Sequence, residues 1–86
     1  MKICFTTHAE KQLNERNISK EAVHKTVLSP GQVIPQEEGI LLFQSVYYED
    51  NKKYLLRVAV KLQDDTWLIV TAYRTSKVQK YWGEHL

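Results

Sequence analysis

Polar and apolar residues alternate over Lys2-Ile3-Cys4-Phe5-Thr6, and this period of two predicts a short first strand ending at a helix start. Thr7 with Glu10 three positions on forms a capping box. The hydroxyl accepts the third amide proton while the carboxylate returns to the Thr7 amide, so the first helix is expected to begin at His8. It is expected to end near Asn17. Ser19 then caps a second helix over Lys20 to Leu28, with Glu21 in its positive first turn and Pro30-Gly31 closing it. At about 100° per residue, Ala9 and Leu13 mark the buried stripe of the first helix, and Val23, Thr26 and Val27 that of the second.

From Gln32 the period falls to two, and β-branched and aromatic residues become frequent. Gln32 to Pro35 reads as a weak edge strand, Gln36 to Gly39 as a turn, and Ile40 to Tyr48 as a longer strand. Glu49 to Lys53 turns the chain back, Tyr54 to Leu62 is the next strand, Gln63-Asp64-Asp65 is a hairpin loop, and Trp67 to Thr75 is the last strand. In the tail from Ser76 to Leu86, Val78, Tyr81 and Trp82 are expected to pack back on the sheet. The predicted fold is α+β, with two N-terminal helices on one face of a four- to five-stranded antiparallel sheet in the order β-α-α-β-β-β-β. The other face is expected to stay open. Alternation assigns Leu56, Val58, Val60, Leu62, Leu68, Val70 and Ala72 to the helix-covered face. It assigns Arg57, Ala59, Lys61, Trp67, Ile69, Thr71, Tyr73 and Thr75 to the open one.

The chain has 86 residues, so residues 1–86 make one domain with a thin core, and a homodimer would be an accessible source of further burial. Its 43% hydrophobic and 26% charged residues exclude a disordered chain. Cys4 is the sole cysteine, which excludes an intramolecular disulfide and a thiolate zinc cluster and fits a reducing cytoplasm. The N-terminal apolar stretch is too short for an export signal, and no run approaches the ~18 apolar residues of a membrane span. The three glycines form no phosphate-binding loop, so P-loop hydrolysis is excluded. No residue pattern calls for a metal or another cofactor.

A formal net charge of +2 permits an anionic partner without requiring one, so the distribution of charge decides. Arg57, Thr71 and Tyr73 share the predicted open face. A guanidinium fork matches phosphate oxygens and a phenol ring stacks on bases, although an ordinary solvated sheet face has the same composition. The segment Tyr73 to Trp82 interleaves Arg74, Lys77 and Lys80 with Tyr81 and Trp82 and contains no acid. That pattern suits the backbone and bases of a single strand. It equally suits a turn anchored by its rings with the lysines solvated. His8, at the positive end of the first helix, begins a polar stripe with Gln12 and Arg16 beside Ala9 and Leu13. Its imidazole is a candidate proton acceptor, although a histidine at this position is often only a surface residue.

Phe5-Thr6-Thr7-His8-Ala9-Glu10 with Leu13, Glu15, Arg16, Asn17, Ile18 and Ser19 resembles the T-x-H-A-x-x-x-(M/L)-x-E-R-x-I-S opening of the domain of unknown function 4258 family, a group of small, mostly bacterial proteins. Ile69 to Lys77 resembles its final V-T-x-Y strand with a basic extension; between the two ends the match is one of element order. That family is in turn similar to RelE- and ParE-type toxins, within a wider group of barnase-like and EndoU-like ribonucleases. The resemblance implies a toxin-type, metal-independent endoribonuclease acting on RNA, held by a neighbouring antitoxin. The alternative is an inactive module binding a protein or nucleic acid through the open face. His8, Arg16, Thr71 and Tyr73 fall on the family's motif positions. Arg57, Arg74, Lys77 and Lys80 are added from charge and facing. The catalytic candidates are thus His8, Arg16, Arg57 and Tyr73, and the nucleic-acid-binding ones Thr71, Arg74, Lys77 and Lys80.

Overall fold

The computed structural model describes residues 2–82, and the last four residues of the predicted tail lie outside the described ones. The chain runs β1 (Lys2–Phe5), α1 (Thr7–Arg16), α2 (Lys20–Leu28), β2 (Gln32–Pro35), a 3-10 turn (Glu37–Gly39), β3 (Ile40–Glu49), β4 (Lys52–Gln63), β5 (Thr66–Thr75) and α3 (Val78–Tyr81). The predicted element order holds, with the short α3 added inside the tail. The start of α1 is one residue earlier than the capping box implied. Thr6, in extended conformation, is the N-cap, and its hydroxyl accepts from the Ala9 amide at 3.0 Å. Two successive threonines offer the same hydroxyl, and the one that caps is the one still extended at the end of β1. Asn17 closes the helix in the left-handed region at φ 54°, and the Ile18 amide returns to the Leu13 carbonyl at 2.9 Å. This is a Schellman ending, and its customary apolar contact is supplied by Leu13 and Ile18, both buried. Ser19 caps α2 as expected, accepting from the Ala22 amide.

The sheet order is β1-β5-β4-β3-β2. β2 to β5 form an antiparallel meander, but β1 lies parallel to β5, so the sheet is mixed and not wholly antiparallel. α1 and α2 carry the chain from β1 at one edge to β2 at the other, and the meander then brings β5 back alongside β1. The β3–β4 connection is the two residues Asp50 and Asn51, both at positive φ, which suits the twist of a tight hairpin.

A bulge in β5 corrects the predicted facing. Val60 pairs with Ile69 and Ala59 with Thr71, which leaves Val70 as the extra residue. Beyond it the alternation inverts. Ile69 and Trp67 therefore turn to the helix side with Ala72, Trp67 meeting Phe43 at a centroid separation of 5.2 Å, and Leu68 and Val70 fall outside the core cluster that alternation predicted for them. Leu62, also predicted for the core, is 47% exposed at the end of β4. The remaining assignments hold: Leu56, Val58, Val60 and Ala72 pack with Ala9, Leu13, Val23 and Val27.

The second face is less open than predicted. α3 follows the turn after Thr75, Val78 is buried, and the Tyr81 ring lies over the Arg57 guanidinium at 4.3 Å. Trp82 seats its ring against Gly31, where a methyl group in place of the glycine hydrogen would come within 2.7 Å of the indole. Tail residues thus do pack back on the sheet. Among the described residues no helix is long and apolar enough to cross a membrane.

Candidate functional site

Sheet register puts Gln32, Gln44, Arg57 and Tyr73 in one row across four strands, on the face away from α1 and α2. Antiparallel partners point the same way, so four polar side chains arrive side by side. They form a continuous chain of hydrogen bonds. Arg57 Nη1 donates to the Tyr73 hydroxyl at 2.7 Å and Arg57 Nε to Gln44 Oε1 at 3.0 Å. Gln44 Nε2 donates to Gln32 Oε1 and to the Tyr81 carbonyl. Gln44 is fully buried and Arg57 only 6% exposed, yet among the described residues no buried side-chain polar atom lacks a partner. Such a network fixes the guanidinium plane, because satisfied polar groups of low solvent access have few alternative arrangements.

Beside this row lies an open cleft of about 1080 Å³, lined by Pro35, Gln36, Glu37, Glu38, Ile40, Leu42, Arg57, Ala59 and Tyr73. Alternation puts Leu42 and Ala59 on its floor with Arg57 and Tyr73, while the 3-10 turn forms a wall. Glu38 in that wall adopts φ 59° and Gly39 φ 74°, and the two left-handed residues swing the chain from β2 into β3. Arg57 and Tyr73 supply the cleft's guanidinium and phenol; Glu37 and Glu38 put carboxylates on its rim.

The predicted site residues divide into separate groups. Arg57 and Tyr73 meet in the row. Gln12 and Arg16, from the polar stripe on α1, serve the edge of β5 beyond Phe5, where β1 stops. Arg16 Nη1 donates to the Ala72 carbonyl at 2.8 Å, and Gln12 Oε1 accepts from the Ala72 amide and from the Thr71 hydroxyl. These side chains take the place of a neighbouring strand, which blocks pairing at that edge. His8 is exposed on the first turn of α1 and, among the described residues, forms no hydrogen bond, ion pair or ring contact.

Arg74 points to the helix side, opposite Leu56, and pairs with Glu49 at 2.7 Å while lying over the Tyr54 ring. Hydrogen bonding to the Tyr47 side chain, reinforced by nearby Glu49 and Tyr54 and opposed by slight burial, raises its pKa above the ordinary arginine value. It is a cation at physiological pH. Lys77 precedes α3 and is exposed. Lys80 is exposed too, with its ammonium 5.4 Å from the Tyr81 ring centre.

Gln12, Gln32, Gln44 and Tyr81 were not among the predicted site residues. Gln44 carried a signal: it interrupts the apolar run Ile40 to Phe43 in mid-strand, where a polar residue needs partners. Tyr81 became part of the site only through the fold of the tail.

No curated protein and no solved structure matches the chain. The profile of one family does match, over residues 5–74, and it takes in the His8 end of α1, the whole glutamine and arginine row and the bulged strand. With most of its length accounted for, the chain belongs to the domain of unknown function 4258 family.

Proposed function

We propose that the protein is a RelE-like RNA-binding module that uses the cleft on the second sheet face, with Arg57 and Tyr73 as its centre. The observation that carries this is the Arg57 guanidinium, held by Gln44, Tyr73 and the overlying Tyr81 in a cleft large enough for a nucleotide. A cation fixed in this way attracts phosphate oxygens through its charge, and it loses little freedom when a ligand arrives. Tyr73 adds a π-face for a base. Lys77 and Lys80 would add non-specific attraction to the backbone, with Arg74 occupied by Glu49. A neighbouring antitoxin that covered the same face would compete with RNA.

A second reading, metal-independent cleavage, is favoured by the Arg57–Tyr73 bond. In it a general base takes the proton of a 2′-hydroxyl, and that oxygen attacks the adjacent phosphorus, with Tyr73 holding Arg57 in place. The 5′ oxygen leaves with a proton from an acid, while the Arg57 charge stabilises the phosphorane. The family resemblance offers His8 as base or acid, although α1 carries it in a group separate from Arg57 and Tyr73. Arg16 and Thr71 act in this reading by holding α1 on β5, not by touching RNA.

Expression of the chain alone, followed by single-stranded RNA binding at near-physiological salt, tests both. Wild type should bind. Arg57→Lys, which keeps the charge but breaks the bonds to Gln44 and Tyr73, should weaken binding about tenfold in a variant that a thermal melt shows to be folded, because the cation is no longer held in place. A folded wild-type chain with no affinity for RNA sinks the proposal. Growth arrest with RNA cleavage, lost in Tyr73→Phe while binding persists, supports the second reading; harmless expression without cleavage leaves binding alone.

A further inference from the structure

α3 divides the second face, and on its far side from Glu37 and Glu38 lies a separate cleft of about 550 Å³, lined by Val46, Tyr48, Lys53, Val78, Gln79 and Trp82. Its two aromatic residues are unusually open: Tyr48 is 69% exposed near the end of β3, and Trp82, just after α3, is 41% exposed. Neither ring belongs to the core cluster. Trp82 is nevertheless positioned, because its ring is seated on Gly31, whose amide is bonded to the Gln44 carbonyl and the Ser45 hydroxyl. Tyr48 stands opposite Lys53 in the hairpin register, so a cation flanks the ring on the same face. The acid nearest in sequence, Glu49, points to the other face and is engaged by Arg74.

From these features we infer that the Tyr48–Trp82 cleft is a stacking subsite for one unpaired nucleobase of a single-stranded RNA, with Lys53 drawing the attached phosphate. The inference rests on the RNA reading of the neighbouring cleft and extends it past α3. An exposed apolar floor would suit an apolar peptide equally, but the charge decides for RNA. This end of the face offers Lys53, with Lys80 exposed on the adjoining helix, whereas the carboxylates of the first cleft lie on the far side of α3. Two accessible ring faces are what base stacking uses, and stacking tolerates any sequence.

The test measures equilibrium binding of a single-stranded RNA oligomer to the full chain and to Tyr48→Ala, Tyr48→Phe and Lys53→Ala. Tyr48 is so exposed that its variants should fold, which a thermal melt verifies. Loss of a stacking ring should weaken binding by about 5- to 150-fold. Tyr48→Phe should restore it, and the salt dependence should not change, since no phosphate contact is lost. Lys53→Ala should flatten the salt slope by about 0.7. Unchanged affinity in Tyr48→Ala, with Arg57→Lys still impaired, overturns the subsite and leaves the RNA reading standing. Equal loss in Tyr48→Phe also overturns it, because a hydroxyl and not a ring would then be responsible. A wild-type chain that binds no RNA removes both, and self-association broken by Tyr48→Ala without any effect on RNA reassigns the cleft to a second copy of the chain.

Discussion

The two faces of the sheet are built on different principles. Against α1 and α2 the sheet presents Leu56, Val58, Val60, Ile69 and Ala72, whose side chains meet helical ones by apolar burial, with hydrogen bonds from Gln12 and Arg16 confined to the β5 edge. On the other face the same strands carry a hydrogen-bonded row from Gln32 to Tyr73, covered at one point by Tyr81. Burial is non-directional and scales with area, so the helix side tolerates small shifts and supplies stability. Hydrogen bonds require specific distances and angles, contribute little net energy, and are expensive to break singly. The second face thereby holds its groups in one arrangement. A face of that kind can present a ligand site at modest cost because the first face has already stabilised the fold.

Substitutions on the two faces should differ in size and in kind. The largest effect belongs to the helix side: Leu56→Ala removes a side chain 2% exposed in the core and should cost about 2–5 kcal/mol in chemical denaturation. For so small a domain that is a large share of its total stability. Gln44→Leu should cost less, about 1–3 kcal/mol, since it deletes the acceptor of Arg57 and the donor to Gln32 and Tyr81 without opening a large cavity. It should also release α3, seen as faster amide exchange over Val78 to Trp82. If Gln44→Leu is instead as stable as wild type with α3 unmoved, the row is incidental.

Below these comes the cap of α1. Thr6→Ala should cost about 1 kcal/mol, whereas Thr7→Ala, now inside the first turn, should change the melting point little. The reverse order would reinstate the capping box at Thr7. Smallest is His8→Ala, expected to stay within about 0.5 kcal/mol of wild type because the side chain is exposed and makes no contact among the described residues. RNA binding by this variant should be unaltered. A loss of cleavage with binding intact would assign His8 the proton transfer that its position in the family motif implies.

Local signals explain why so much of the architecture was legible. The Lys20–Leu28 helix and the Gln32–Pro35 strand have the observed limits because a capping serine, a closing Pro-Gly pair and an edge proline lie in the elements themselves. The Thr6–Thr7 ambiguity was not resolvable in this way. Both threonines have a hydroxyl, and the choice between them depends on where β1 stops pairing with β5. Of the site, Arg57 and Tyr73 could be picked by facing and chemistry. Gln44 signalled only that it needs partners; that Arg57, 13 residues away, is one of them follows from register.

What the amino-acid sequence determined by itself is therefore the elements from β1 to β5, their order, and the buried stripes of the two helices with Leu56, Val58 and Val60 of β4, since each rests on residues within a few positions of one another. Tertiary structure alone decided four things. It laid β1 parallel to β5, flipped Trp67 and Ile69 to the core side at the Val70 bulge, turned Gln12 and Arg16 into substitutes for a missing strand, and folded Tyr81 over Arg57. Each depends on which distant groups remain to be buried or hydrogen-bonded once the sheet has assembled, and no local period encodes that.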